Sequence, residues 1–477
     1  MSNADSPADL LARMDDAKIS PLHWKIMFIS GMGFLTDAYD LFIIGVVMEM
    51  LKQQWRISPV AEGLVTSTAL LASAVGAVLF GRVADMLGRK RIYGYEVLVL
   101  AAGALASALS PGIWWLIGFR AILGVGIGGD YPVSATIMAE YAGKRSRGMM
   151  VTLVFTMQAA GLVIGPLLAA GLLASGLAHD ITWRVLLAFG AVPALAVFQM
   201  RRNLAETPRF LLAAGRHDEF SAAANHTLGR QQREAERRRA MQARAAAKVS
   251  FWEGFAALTG RRDLLVRLIG ASMAWFLMDF AYYGNTVSSP MVLNAITPHQ
   301  SLLWHVLLQL AVFAVAAVPG YLVAAAMMDR MGRKSIQIMG FAMMALTFAA
   351  MALVPGIEKL VVPFLIIYGV SYFFTEFGPN ATTFVYPAEI FPVEGRTTGH
   401  GIAAAAGKFG GFAGVFLFPI LMSWHGLLSA ELAAAGVSVL GFFVTWWMLP
   451  ETNGRSLEEL SLPEMGPALG QAAAGRR

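Results

Sequence analysis

The sequence predicts an all-α membrane protein of twelve transmembrane helices in two six-helix pseudo-repeats. Three observations carry that expectation. The 477 residues are 57% hydrophobic and only 14% charged, with a mean hydropathy of +0.58, whereas a soluble chain averages about a quarter charged residues. Twelve tracts approach or exceed the ~20 mainly apolar residues that a crossing needs. The loop Asp85-Met-Leu-Gly88-Arg89-Lys90 returns in the second half as Asp329-Arg-Met-Gly332-Arg333-Lys334, and an internal repeat of this kind fixes an architecture.

Taken in order, the first tract, 24–50, resembles a signal sequence only superficially. It is too long for an apolar leader core, contains Asp37 and Asp40 and lacks a small-residue cleavage site, so it is expected to remain as a span. The next five lie near 61–82, 92–109, 113–138, 149–174 and 183–200. A polar stretch, 201–262, separates them from six more near 264–287, 302–328, 336–355, 360–386, 398–424 and 429–449. The fourth span with its following loop (Asp130, Glu140, Arg147) is echoed by the tenth (Asn380, Glu389, Arg396). The expected domains are an N-terminal tail (1–20), a first bundle (21–200), a linker (201–262), a second bundle (263–450) and a C-terminal tail (451–477). Parallel six-helix repeats are the layout of carriers that rock two halves about a midplane site.

Orientation follows from basic loops. Arg82, Arg89, Lys90 and Arg91 fall between spans two and three, Lys144, Arg145 and Arg147 between four and five, and Arg330, Arg333 and Lys334 between eight and nine. The intervening loops are nearly free of Lys and Arg apart from Lys52 and Arg56. The positive-inside rule then places both termini and the linker in the cytoplasm, for a multi-pass protein of the cell membrane. The same rule accounts for the net charge of +6 without nucleic acid. The linker's arginines (Arg230, Arg233, Arg237, Arg238, Arg239, Arg244), interleaved with Glu234 and Glu236, predict a surface amphipathic helix. The first twenty residues and the tail after Pro463 are expected to be mobile.

Polar residues inside apolar spans are costly and usually functional. Asp130 and Gln158 are separated by the same 28 residues as Asn380 and Lys408, as if forming two walls of one central site. Asp37 and Asp40, three apart, share a helix face. Poor solvation and mutual repulsion favour their holding a proton. Trp275, Asp279 and Tyr283 are spaced by four on one stripe of the seventh span. An indole N–H and a phenol donate hydrogen bonds to an oxyanion without adding charge. Lys408 is the strong cation expected at the centre, and Glu96 and Arg120 are weaker members of the proton-coupling set begun by Asp37 and Asp40. Asp85, Arg89, Asp329 and Arg333 read as gating elements. The absence of cysteine excludes disulfides and thiol chemistry. No metal-ligand cluster, nucleotide-cradling loop or nucleophile–base set is apparent, so neither an enzyme nor a cofactor is expected.

The loop 81–91, with Glu206-Thr-Pro-Arg209 and Pro450-Glu-Thr-Asn-Gly-Arg-Ser-Leu-Glu458, resembles the signatures of the major facilitator superfamily and its sugar-porter branch. Gly129-Asp130-Tyr131-Pro132-Val-Ser-Ala-Thr136, Phe34-Leu-Thr-Asp37-Ala-Tyr-Asp40, Trp275-Phe-Leu-Met-Asp279-Phe-Ala-Tyr-Tyr283 and Gly378-Pro-Asn380 with Lys408 are similar to the phosphate:proton symporter family. The resemblance implies that Tyr131, Gln158, Trp275, Asp279, Tyr283 and Asn380 hold phosphate and that Asp130 joins Asp37 and Asp40 on the proton route. It also selects Tyr283 over Tyr282, which the residues alone leave open. Lys408 is expected to pair with a carboxylate such as Asp130 in the empty carrier and to turn to phosphate when that carboxylate is protonated. The function expected is import of inorganic phosphate by proton symport. The alternatives are a proton-coupled carrier of another small solute, such as an organic anion or sugar, and a phosphate sensor.

Overall fold

In the computed structural model, which describes residues 7–55, 57–229, 255–256 and 258–461, every regular element is helical. The first half consists of α1 (Pro21–Trp55), α2 (Pro59–Leu87), α3 (Tyr95–Ala108), α4 (Ile113–Tyr141), α5 (Arg147–Ala174) and α6 (His179–Arg202). The second consists of α7 (Arg262–Val287), α8 (Leu302–Met331), α9 (Arg333–Leu353), α10 (Val361–Ile390), α11 (Arg396–His425) and α12 (Leu427–Met448). Ten of these satisfy length and composition for a membrane crossing; α1, with its two aspartates, and α3 complete the twelve.

The α3 helix is the shortest, at 14 residues. That is about 21 Å, less than the ~30 Å hydrocarbon core. The expected span at 92–109 begins late because the chain first turns through the short helix Arg89–Ile92 and Gly94, whose φ of 111° suits glycine. The α10 helix is interrupted. Residues Glu376–Asn380 form a π-helical turn, within which Gly378 leaves helical geometry (φ −96°, ψ −115°) and Pro379 supplies no N–H. Such turns mark functional positions more often than ordinary helix does.

The halves meet along two seams. In the first, Gly81 of α2 lies against Thr397 and Gly401 of α11, Leu70 reaches Gly411, and Gly63 faces Phe416 at the far end. In the second, α5 meets α8 both at Gly148 with Asp329 and at Gln158 with Tyr321. Both ends of the bundle are therefore closed and the centre is sealed. Gly124 and Gly128 admit α2 against α4, and Gly410 and Gly414 admit α7 against α11, so they tighten each half internally.

Outside the bundle, one expectation is overturned. Part of the first twenty residues is ordered: Pro7–Asp15 is a helix whose Leu10 and Met14 pack with Leu211, Phe220 and Ala224. The apolar pair four apart gives it a face to bury, and Lys144 N–H donates to the Asp15 carbonyl at 2.9 Å. The linker begins with helices Pro208–Ala213 and His217–Thr227. Its arginine-rich run and the tail after Pro463 lie outside the described residues.

Candidate functional site

The spacing of four along α7 aligns Trp275, Asp279 and Tyr283 on the face turned toward α11, and all three are buried. Lys408 of α11 lies among them. Its Nζ donates to the Tyr283 hydroxyl at 2.8 Å and to Asp279 Oδ2 at 3.4 Å. The ammonium also stands 4.1 Å from the ring centroid of Tyr131 and 4.6 Å from that of Tyr283. Cation–π attraction of this kind is strengthened by desolvation, to about 2 kcal/mol. A lysine only 2% exposed is thus held by one carboxylate, one phenol and two aromatic faces.

A chain of hydrogen bonds continues from Tyr131 across both halves. Gln158 Nε2 donates to the Tyr131 hydroxyl at 3.0 Å, and Gln158 Oε1 accepts from Tyr321 at 3.0 Å. Asn380 Nδ2 donates to the Tyr321 hydroxyl at 3.0 Å and also to Glu376. Phe34, Phe155 and Phe384 pack beneath it, with Phe155 and Phe384 stacked at 4.7 Å. The result is a sealed cage with, among the described residues, one cation, neutral donors on five helices and apolar walls. The seven residues Tyr131, Gln158, Trp275, Asp279, Tyr283, Asn380 and Lys408 all converge on it.

The family model "Sugar (and other) transporter" matches residues 24–462. The chain belongs to this family of the major facilitator superfamily. The chain is 35% identical over 515 residues to the probable inorganic phosphate transporter 1-6 of Arabidopsis thaliana, covering 97% of each. It is also 35% identical over 522 residues to the inorganic phosphate transporter 1-11 of Oryza sativa subsp. japonica, covering 97% of this chain and 92% of that one. Among solved structures it resembles the proton:xylose symporter XylE bound to 6-bromo-6-deoxy-D-glucose, with TM-score 0.78, 20% identity, and 92% and 98% coverage. An inward-open XylE from E. coli gives TM-score 0.67 at 19% identity, with 92% and 99% coverage. The chain is accordingly a multi-pass membrane transporter of the twelve-helix fold.

The transporter's acidic residues divide in a way the sequence did not foretell. Asp130 does not pair with Lys408. It is held by Arg201, with both guanidinium nitrogens 2.9 Å from its two oxygens, and by the Ser134 hydroxyl. Arg201 also binds Glu96 at 2.8 Å and lies 4.4 Å over the Tyr93 ring. Arg120 donates to the Val65 carbonyl at 3.0 Å and approaches the Asp40 carbonyl at 3.5 Å. Asp37 faces Asp130 and Lys408 from α1, linking the cage to the arginine cluster. Asp40 turns away to pack against Gly190 of α6, so the two aspartates diverge despite their shared spacing. All four of their carboxylate oxygens are buried with no hydrogen-bond partner among the described residues.

The repeated loops close one end of the bundle. Asp85 Oδ2 accepts from both the N–H and the hydroxyl of Thr398 at 2.6 Å, capping the start of α11 in the other half. Asp329 does the same for α5, accepting from Gly148 N–H at 3.0 Å and Met149 N–H at 2.7 Å. A carboxylate at a helix N-terminus is favoured by the exposed N–H groups and the dipole. Behind each aspartate stands an arginine. Arg89 binds Asp85 (3.1 Å) and Glu140 (3.2 Å), and Arg333 binds Asp329 (2.9 Å) and Glu389 (2.7 Å). Arg396 crosses to Glu140 at 3.1 Å. The motifs after α6 and α12 complete the symmetry: Thr207 donates to Glu140 and Thr452 to Glu389. Burial raises the Glu206 carboxyl above its ordinary range, against the lowering pull of Arg89. Asp15 of the N-terminal helix joins this lock, binding Arg209 at 2.7 Å and Arg147 at 3.1 Å.

Asp85→Asn is expected to loosen the lock, because it removes a full charge from a helix N-terminus, worth about 1 kcal/mol and so about a fivefold shift in population. The chain contains no cysteine, so a single cysteine placed at Thr397 reports directly on access. It should react several times faster in the Asp85→Asn background, and equal rates would show that this cap does not hold the end shut.

Sequence reasoning missed Arg201, Glu376, Tyr321 and Asp15. Arg201 fell one residue beyond the predicted sixth span and was counted with the linker. Glu376 lies four residues before Asn380 on the same helical turn, and that spacing was a usable signal. Tyr321 carried none.

Proposed function

We propose that this transporter imports inorganic phosphate together with protons by alternating access, across the cell membrane and with the basic-loop end and both termini in the cytoplasm. The observation that carries this reading is Lys408, a buried ammonium satisfied in the sealed state by Asp279 and Tyr283 and ringed by neutral donors. A small oxyanion can replace the carboxylate at the ammonium and take further hydrogen bonds from Tyr131, Gln158, Trp275, Tyr283 and Asn380. The relatives that match over nearly their full length are named as inorganic phosphate transporters, which supports phosphate over a sugar.

The proton side of the reading rests on Asp37, Asp40 and the Asp130–Arg201–Glu96 cluster. The Asp37 and Asp40 oxygens have no hydrogen-bond partner among the described residues, and a buried carboxylate left unbonded is carried most cheaply as the neutral acid. Asp37, between Lys408 and Asp130, is suited to pass a change of charge from the proton route to the cage. Phosphate binding on Lys408 releases Asp279, and an ionised Asp279 would repel the anion, so a proton there favours entry. Rocking then breaks the Asp85–Thr398 and Asp329–Gly148 caps, and phosphate and protons leave toward the basic end.

The test is uptake of labelled phosphate into proteoliposomes under an inward proton gradient, with and without a proton ionophore. Accumulation that collapses with the ionophore, and falls at least about tenfold in Asp279→Asn because the amide cannot take up and release the proton that accompanies phosphate, is the expected result. Absence of phosphate uptake from preparations that exchange another small anion would overturn the substrate.

A further inference from the structure

The proton-bearing groups considered so far lie on the first half, apart from Asp279. A second carboxylate of the second half borders the cage and has been given no role. Glu376 is in the π-helical break of α10, fully buried. One of its oxygens accepts from Asn380 Nδ2, and the other has no hydrogen-bond partner among the described residues. No salt bridge reaches it among those residues. The titratable groups that face it are Tyr282 and Asp279 from α7, Tyr321 from α8 and Tyr372 from its own helix. None of these is a cation. Lys408 is committed to Asp279 and Tyr283.

We infer that Glu376 is a coupling residue of the second half, which takes up one of the symported protons before phosphate settles on Asn380 and gives it up when phosphate leaves. This rests on the phosphate reading above and extends it. Asn380 is the hinge of the argument, since the amide that donates to Glu376 also donates to Tyr321. When Glu376 is ionised, its negative charge is one hydrogen bond from the amide meant for the oxyanion, and repulsion across so short a distance in a water-poor site is strong. When it is protonated, the repulsion disappears and the Asn380 amide is released toward phosphate. Its O–H becomes one more donor near the cage. The proton arrives from water on the outward side and leaves to water on the inward side, so charge and atoms balance over one cycle. The π-helical break sets Gly378 and Pro379 between the two side chains, where Pro379 supplies no N–H to the helix. Glu376 acts on phosphate through Asn380, which makes it a positioning residue.

The experiment separates exchange from accumulation in proteoliposomes with the membrane potential clamped at zero. Phosphate counterflow at equal pH needs no net proton movement, whereas accumulation under a one-unit gradient rises about tenfold for each coupled proton. Glu376→Gln keeps the shape and is neutral throughout. It should keep counterflow within about threefold of wild type but lose about tenfold in the accumulation ratio. Phosphate binding to the detergent-solubilised variant should draw one proton fewer from a weakly buffered solution. An unchanged accumulation ratio overturns the assignment, as does loss of counterflow and accumulation together in a folded variant. Should the glutamine variant not fold, Glu376→Asp decides. A displaced pH midpoint of accumulation with counterflow intact supports the proposal, and an unchanged midpoint refutes it. Wild-type protein that neither exchanges nor accumulates phosphate tells instead against the substrate reading.

Discussion

Lys408→Ala is expected to weaken phosphate binding by about a hundredfold or more, the range typical of truncating one member of a buried, hydrogen-bonded charge pair. The lysine has no substitute in the cage. Its partners Asp279 and Tyr283 cannot carry positive charge, and Arg201 is already engaged with Asp130 and Glu96. The same substitution strands Asp279, because a carboxylate 1% exposed loses its one salt-bridge partner among the described residues. Breaking a buried pair costs about 3–5 kcal/mol, whereas removing both charges is often nearly neutral. The double variant Lys408→Ala with Asp279→Asn should therefore be more thermostable than Lys408→Ala alone while binding phosphate no better. Binding by equilibrium titration and melting in detergent separate the two effects. A single variant with wild-type affinity would remove Lys408 from the substrate site.

What could be read in the sequence divides along a physical line. The twelve-helix layout was legible because hydropathy and repeats are local or translational signals, and an apolar tract needs no partner to be recognised. Part of the cage was legible because polar residues in apolar spans are few, so Gln158, Asp279, Asn380 and Lys408 had little company, while Tyr131 came only with the family resemblance. The pairings were not. Asp130 met Arg201 rather than Lys408, Glu96 met that same arginine from a third helix, and Asp37 and Asp40 faced different neighbours. Each pairing depends on helix rotation and on close approaches such as that of Gly33, where a Cβ would collide with Asp130 and Arg201. The ordering of Asp15 likewise needs two arginines, Arg147 and Arg209, brought from distant segments. Three-dimensional charge balance decides such contacts, and spacing along one helix does not encode it.

The largest stability effect is expected at Arg201. Its side chain is fully buried and neutralises two carboxylates at once, Asp130 by two hydrogen bonds and Glu96 by one, while lying over the Tyr93 ring. In Arg201→Ala both carboxylates remain in an apolar bundle with no other salt-bridge partner among the described residues, and a loss of about 3–5 kcal/mol follows from the price of unpaired buried charge. That should appear as a sharply lower melting temperature and a poor yield of monodisperse protein. Arg201→Lys should recover only part of the loss, since an ammonium is a point charge and cannot match two carboxylates with a planar fork. Removing the stranded charges as well, by Asp130→Asn with Glu96→Gln, should restore most of the thermal stability without restoring proton-driven accumulation. Stability and coupling then part company. The arginine holds the bundle together by charge balance, but the acids it balances are also the ones a proton must visit. If Arg201→Ala melts like the wild type, the cluster is not an ionic one, and the proton route through Asp130 would need another counter-charge.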